Sequence, residues 1–188
     1  MINYTSVEFD YEASALFKVL EPFKMSMTAC TSCDNKTILE IYKLLNINVP
    51  IQSILYFKLN PNQVGIIHID KNLSNETKGA EFALNLPLIN SDNVLMRWYR
   101  DNESNKNFDI FTGPNGTDTP SLPKDRATCI DQVYYTSPHI VKINDWHSVE
   151  NESTTDVAHF ISLRFFLPLD IVMKNLVRRR GIEPLLIA

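Results

Sequence analysis

Gly65-Ile66-Ile67-His68-Ile69-Asp70 is the stretch on which the interpretation of this chain depends. Its apolar residues predict a strand, and residues two apart in a strand point to the same face of the sheet. His68 and Asp70 therefore place an imidazole and a carboxylate side by side, where both can bind one divalent metal. Taken alone, the pair is better explained as a strand end with a capping carboxylate, because His-x-Asp is short and occurs by chance.

A metal site needs at least one further ligand, and the best candidate is His147, which follows Asp145-Trp146 and starts a short predicted strand. His139 and His159 are weaker candidates for the same role. Two histidines and one carboxylate on one side of a metal leave the other side open, which is the arrangement of non-haem Fe(II) oxygenases. The same ligands also suit Mn, Co and Zn, so ligand type alone does not identify the metal.

Arg164 lies inside the apolar run Phe160-Ile161-Ser162-Leu163-Arg164-Phe165-Phe166. Strand alternation places Arg164 on the face opposite Leu163 and Phe165. An unpaired buried charge is very costly, so this arginine needs an anionic partner. A guanidinium binds a carboxylate through two parallel hydrogen bonds. The partner is therefore either a carboxylate ligand or an internal Asp or Glu.

Short strands fill the middle of the sequence, and helices are predicted near its ends. Helices are expected over 13–20, over 35–46 with Asp34 as N-cap, and over 169–179. Strands are expected over 7–11, 53–59, 81–88, 94–99, 132–135, 139–143 and 157–167. This order predicts a mainly β fold, an antiparallel double-sheet barrel (jelly roll, or double-stranded β-helix) with flanking helices. Residues 1–177 are expected to form one domain, and 178–188 a disordered tail.

Four side chains are candidates for ligand contacts. Asn85 and Tyr56 lie opposite the apolar stripes of their strands, so a barrel is expected to turn both towards its cavity, together with Ser162. Each is either a cosubstrate contact or an ordinary cavity-lining residue. Residues 101–127 form a long polar loop directly after the strand that carries Trp98. Such a loop is expected to be mobile and to influence substrate choice, and Trp98 is a candidate substrate contact.

The order of these parts, His-x-Asp, a distant His and an Arg in a late strand, resembles the Fe(II)- and 2-oxoglutarate-dependent dioxygenase superfamily. Ile67-His68-Ile69-Asp70, Ala83-Leu84-Asn85-Leu86-Pro87-Leu88 and His147-Ser148-Val149-Glu150-Asn151 are similar to the aspartyl/asparaginyl β-hydroxylase branch. The resemblance covers about 53–167 and implies a cupin-like jelly-roll domain.

The resemblance also implies a function for each candidate residue. Fe(II) is expected on His68, Asp70 and His147, and the far carboxylate of 2-oxoglutarate on Arg164. Further cosubstrate contacts are expected from Asn85, Tyr56 and Ser162. The implied reaction is hydroxylation of a C–H bond in a small molecule or a peptide side chain, with ascorbate as reductant in vitro. Demethylation and desaturation are outcomes that the sequence does not distinguish from hydroxylation.

Composition narrows the possible functions and locations of the protein. The formal net charge of −4 argues against a nucleic-acid binder, which would usually carry a basic stripe. No apolar run is long enough for a membrane span, and the N-terminus lacks a signal-peptide pattern. Three cysteines, an odd number, favour a reducing cytoplasm, and Cys30 and Cys33 are interpreted as ordinary thiols. The oligomeric state is not predicted.

Two other functions fit a barrel of this kind. One is a metal-containing binding protein that receives a small molecule or peptide, and the other is a cupin-type metalloenzyme without 2-oxoglutarate. Arg164 discriminates between them and the oxygenase, because only the oxygenase needs a cation at the far end of the cavity. The sequence expectation is that Arg164 affects cosubstrate affinity and hardly affects metal affinity.

Overall fold

The computed structural model describes residues 3–24, 30–47, 49–70, 80–103, 108–113, 118–165 and 167–177. The strands are β1 Tyr4–Ser6, β2 Cys30–Ser32, β3 Ile51–Leu59, β4 Phe82–Ile89, β5 Val94–Asp101, β6 Asp109–Thr112, β7 Asp118–Ser121, β8 Ala127–Tyr134, β9 His139–Lys142, β10 His147–Asn151 and β11 Ala158–Phe165. The helices are α1 Ala13–Val19, α2 Glu21–Lys24, α3 Asn35–Leu45 and α4 Leu169–Val177. None of these helices is long and apolar enough to cross a membrane.

Two antiparallel sheets form the barrel. The large sheet has the strand order β1-β9-β4-β11-β3-β2, and the small sheet has the order β10-β5-β8. Residues 64–70, here called the His68 segment, extend the small sheet through bridges from Val64 to Glu150 and from His68 to His147. The hairpin β6–β7 lies on the other side of this segment, where Ser121 bridges to His68.

The chain passes from one sheet to the other in the winding of a double-stranded β-helix. β3, β4, β9 and β11 belong to the large sheet, while the His68 segment, β5, β8 and β10 belong to the small sheet. This winding brings elements that are far apart in sequence, such as the His68 segment and β10, next to each other. The predicted mainly β fold with flanking helices is confirmed.

The large sheet is buried on both faces. Its outer face packs against α1, α3 and α4 in a cluster that includes Leu16, Ile41, Leu84, Leu163 and Val172. Its inner face meets the small sheet in a second cluster, to which the large sheet contributes Leu59, Ala83 and Phe160 and the small sheet contributes Met96 and Trp98. The inner cluster is therefore the core of the barrel, and side chains on this face point towards the candidate site.

Several local predictions can be compared with the structure. The α3 prediction is confirmed, and the backbone N–H of Thr37 donates to the Asp34 carboxylate at 2.8 Å, as expected of an N-cap. The predicted strand over 7–11 is wrong, because the N-terminal strand is β1, which pairs with β9. The long polar stretch over 101–127 contains a small hairpin, β6–β7, which the sequence interpretation of this stretch allows.

Asn151 fixes the end of β10 to two neighbouring turns. Its side-chain N–H groups donate to the backbone oxygens of Leu59, Asn60 and Asp156 at 3.1, 3.1 and 2.8 Å. Its amide oxygen accepts from the backbone N–H of Ser153 at 3.1 Å. The side chain is buried, and its bonds with Leu59 and Ser153 lie away from bulk water, while those to Asn60 and Asp156 are partly buried.

We expect Asn151→Ala to lower the free energy of unfolding by about 1–3 kcal/mol, because it removes these hydrogen bonds and leaves the buried Leu59 oxygen without this donor. Urea unfolding followed by circular dichroism measures the change. The exposed Thr154 in the same turn provides the control, and Thr154→Ala should leave the midpoint nearly unchanged. Equal midpoints for the two variants would contradict the anchoring role of Asn151.

Candidate metal centre

The structure brings His68, Asp70 and His147 together, as the sequence predicts. One potential ligand atom from each lies within 4.8 Å of the others. His68 Nε2 and Asp70 Oδ1 are 3.3 Å apart. Donor atoms that share one metal at about 2.1 Å and a right angle lie about 3 Å apart. The spacing of this pair therefore fits a shared divalent metal, and the donor set suits iron.

A β-bulge directs the His68 side chain towards the candidate metal site. The bridges from Val64 to Glu150 and from His68 to His147 are three residues apart in β10 but four apart in the His68 segment. The extra residue in the segment is a bulge, which redirects the side chains that follow it. Gly65 lies in the bulge, and a Cβ at this position would overlap the backbone oxygen of Val149. Glycine is therefore required for the close approach of the two strands.

We expect Gly65→Ala to push the His68 segment away from β10, because the added methyl group meets rigid backbone rather than a flexible side chain. The free energy of unfolding should fall by about 1–3 kcal/mol, a typical cost of overpacking, and metal affinity should fall with it. Unfolding and metal titration measure both effects. Ile66→Ala is the control, since this neighbouring side chain is 43% exposed. If Gly65→Ala and Ile66→Ala had the same free energy of unfolding and the same metal affinity, the proposed role of the bulge would be contradicted.

Each candidate histidine is oriented by a backbone carbonyl two residues earlier. Nδ1 of His68 lies 2.9 Å from the Ile66 oxygen, and Nδ1 of His147 lies 2.8 Å from the Asp145 oxygen. A carbonyl oxygen only accepts, so Nδ1 carries the proton in both rings. In the neutral form of each ring, Nε2 then carries the lone pair that binds a metal, and the ring orientation is fixed, as is usual for metal-binding histidines.

The surroundings favour the charge state that a metal needs at His147 and Asp70, and oppose it at His68. Burial lowers the pKa of His147 to about 4, with the His68 charge acting in the same direction, so His147 is neutral at pH 7. Burial alone would raise the pKa of Asp70, but the Arg164 charge and the His68 hydrogen bond hold it below its usual value. Burial would lower the pKa of His68, but its hydrogen bond to Asp70 and the charge of Asp70 raise it overall. His68 is thus the ligand whose proton a metal must displace.

Arg164 reaches the same centre from β11. Its Nη2 lies 2.5 Å from Asp70 Oδ2, so the internal-acid partner that the sequence left open is Asp70 itself. Within the described part of the chain, Arg164 Nε and Asn85 Oδ1 are buried without a hydrogen-bond partner. Unsatisfied buried polar atoms are rare in native proteins and often mark the place of a bound ligand. Arg164 Nε is a donor and therefore fits a carboxylate, whereas Asn85 Oδ1 is an acceptor and needs a donor that a carboxylate does not offer.

Asn85 and Ser162 lie side by side on the inner face, because their positions pair in the β4–β11 register. Asn85 Nδ2 donates to the hydroxyl of Tyr135 at 2.5 Å, and that hydroxyl donates to Met96 Sδ at 3.0 Å. Tyr135 is fully buried, and burial raises the pKa of its hydroxyl, so it stays protonated. Sequence reasoning missed this tyrosine, since nothing in the residues around it distinguishes it from a packing residue.

Two predicted contacts require correction. Tyr56 lies on the helix-covered face of the large sheet, where its hydroxyl hydrogen-bonds with His159 Nδ1 at 2.7 Å, so its predicted place in the cavity is wrong. Trp98 is fully buried in the barrel core, and its indole N–H donates to the Lys142 oxygen at 2.8 Å. This placement gives Trp98 a packing role and does not support its predicted substrate contact.

The two weaker histidine candidates lie elsewhere. His159 is held by Tyr56 on the outer face, as described above. Nδ1 of His139 lies 2.6 Å from the Ser137 oxygen, and its Nε2 lies 3.3 Å from the Ser6 hydroxyl. Among the described residues, the structure therefore groups His147, and neither of these histidines, with His68 and Asp70.

Comparison with known proteins gives likenesses of fold only. No protein-family model matches the chain. No curated protein matches it. A viral collagen prolyl hydroxylase from Paramecium Bursaria Chlorella virus-1, solved as a 2OG complex, is 8% identical with a TM-score of 0.41, covering 88% of this chain and 97% of that chain. A prolyl-4-hydroxylase from Pseudomonas putida is 8% identical with a TM-score of 0.40, covering 87% and 92%. At this level of similarity, neither likeness assigns a role to a residue of this chain.

Proposed function

We propose that this protein is an Fe(II)- and 2-oxoglutarate-dependent dioxygenase that hydroxylates a C–H bond of a small molecule or a peptide side chain. The observation that carries the proposal is the meeting of His68, Asp70 and His147 with the partly buried Arg164 inside one barrel. Iron, when bound, supplies the activation of dioxygen that couples decarboxylation of 2-oxoglutarate to oxidation of the substrate.

The protein supplies the ligands and their orientation. His68 and His147 each present Nε2, because Nδ1 is held by a backbone carbonyl. Asp70 presents Oδ1 on the same side as His68 Nε2 and adds the one negative charge of the set. Three protein ligands grouped on one side of a metal leave positions for the cosubstrate and dioxygen.

The inner face of the large sheet provides the cosubstrate contacts. Arg164 offers its guanidinium to the far carboxylate of 2-oxoglutarate, and its Nε has no other partner. Ser162 lies two positions before Arg164 on β11, and Asn85 lies opposite Ser162 on β4. The Ser162 hydroxyl and the side-chain N–H groups of Asn85 offer further hydrogen bonds. The apolar cluster around Phe160 excludes water from this end of the barrel, which strengthens the charge pairing.

The remaining parts of the proposal rest on the sequence. A single domain over 1–177, a relation to the aspartyl/asparaginyl β-hydroxylases and a cytoplasmic location are hypotheses, as is ascorbate as the reductant. Residues 178–188 lie outside the described residues. The β6–β7 hairpin lies beside the strand that carries His68, which supports the hypothesis that the 101–127 region influences substrate choice.

Succinate formation tests the function without knowledge of the substrate. The protein is incubated with Fe(II), 2-oxoglutarate and ascorbate, and succinate is quantified over time. We expect slow uncoupled turnover that disappears in Asp70→Ala. Succinate formation equal in the wild type and Asp70→Ala would contradict the proposal, since it would not depend on the proposed metal ligand.

One observation favours a second candidate. Arg164 already has an internal anionic partner in Asp70, as a barrel without an anionic cosubstrate would require. A metal-containing binding protein, or a metalloenzyme without 2-oxoglutarate, is therefore the alternative. Metal binding without any binding of 2-oxoglutarate would favour that alternative over the dioxygenase.

A further inference from the structure

We propose that Arg164 is an internal counter-ion of Asp70 that weakens metal binding, and that a dicarboxylate relieves this effect by taking over the guanidinium. The result is cooperative binding of metal and dicarboxylate through one arginine. This inference rests on the proposed metal site and cosubstrate. It revises the sequence expectation that Arg164 hardly affects metal affinity.

The Asp70 carboxylate has two partners, one at each of its oxygens. Asp70 Oδ2 is 2.5 Å from Arg164 Nη2, while Oδ1 faces His68 Nε2 at 3.3 Å. The pair is largely shielded, with side-chain exposures of 20% for Arg164 and 9% for Asp70. A buried charge pair interacts more strongly than an exposed one, because the surrounding dielectric is lower. The same carboxylate must therefore serve the guanidinium and the metal.

A divalent cation bound to Asp70 Oδ1 would add two positive charges close to the guanidinium. Like charges repel strongly in a shielded site, so Arg164 opposes the metal whether or not its bond to Asp70 survives. Without Arg164, the buried Asp70 carboxylate would lose its counter-ion, and a metal would be the best replacement. Both effects predict that removal of the arginine charge tightens metal binding.

A purely orienting role predicts the opposite sign. A hydrogen-bonding partner that only positions a ligating carboxylate raises metal affinity, and its loss typically weakens binding about 10–100-fold. Arg164 differs from a neutral partner because it carries a full positive charge. The sign of the change in metal affinity therefore separates a counter-ion from an orienting partner.

A dicarboxylate would remove the repulsion. The guanidinium has five donors, and Nε is buried without a partner among the described residues, so a carboxylate has a donor to bind. An anion paired with Arg164 offsets its charge as seen by the metal. By linkage, the factor by which the anion tightens metal binding equals the factor by which the metal tightens anion binding.

The test is calorimetric titration of the full chain with Mn²⁺, for the wild type and for Arg164→Gln. We expect Arg164→Gln to bind Mn²⁺ about tenfold more tightly, within the range of common coupling energies. Arg164→Lys, which keeps the charge, should bind Mn²⁺ much as the wild type does. Arg126→Gln is the matched control, because Arg126 Nη2 forms a similar pair with Asp101 Oδ2 at 2.6 Å outside the site. It should leave Mn²⁺ affinity unchanged.

The response of the wild type to succinate provides a second measurement, and this part of the test does not depend on a variant folding. Succinate should tighten Mn²⁺ binding to the wild type, and should do so far less in Arg164→Gln. Unchanged or weaker Mn²⁺ binding in Arg164→Gln would overturn the counter-ion role of Arg164. An Mn²⁺ affinity of the wild type that does not change with succinate would overturn it as well. A wild type that binds no Mn²⁺ at all would instead reject the proposed metal site.

Discussion

His147→Ala is expected to weaken Mn²⁺ and Fe(II) binding so far that calorimetry no longer detects it. The loss should exceed about 100-fold, because even the partners of metal ligands contribute 10–100-fold and a direct ligand contributes more. A site with three protein ligands has no redundancy, so His68→Ala and Asp70→Ala should behave in the same way. Metal titration of each purified variant measures the effect.

His139→Ala is the matched control for this result. His139 is also buried, and its Nδ1 also lies against the backbone oxygen two residues earlier, but it lies apart from the metal centre. Its replacement should leave metal affinity intact. Circular dichroism of both variants separates loss of a ligand from loss of the fold. A folded His147→Ala protein with unchanged affinity would show that His147 is not the third ligand.

Arg164→Ala is expected to weaken 2-oxoglutarate binding by about 2–5 kcal/mol, the range for loss of one partner of a buried charge pair. Arg164→Lys should weaken it less, because lysine keeps the charge but not the two-pronged geometry. Both titrations are performed with saturating Mn²⁺, so that a change in metal affinity does not enter the result. Equal 2-oxoglutarate affinity in the wild type and Arg164→Ala would favour the binding-protein alternative.

Local patterns predicted much of the candidate site. His68 and Asp70 share a face because they are two apart in an extended segment, and Arg164 points inward because it alternates with Leu163 in β11. His147 was predicted from a short motif in a distant part of the chain. The winding of the barrel explains why this distant histidine lies next to His68.

Other features depend on contacts that local patterns do not contain. Alternation divides β3 and β4 into two faces each, but both faces of the large sheet are buried, so hydrophobicity does not tell which face is inside. Asn85 points into the barrel as expected, whereas Tyr56 points to the helices. The bulge at Gly65 and the bond between Arg164 and Asp70 arise only once separate strands meet.

A crystal structure of the protein with Mn²⁺ and 2-oxoglutarate tests the central claim most directly. We expect one anomalous peak bonded to Nε2 of His68, Oδ1 of Asp70 and Nε2 of His147. The oxo-acid should chelate this metal, with its far carboxylate on the Arg164 guanidinium. A metal peak at other residues, or an oxo-acid bound away from Arg164, would contradict the account.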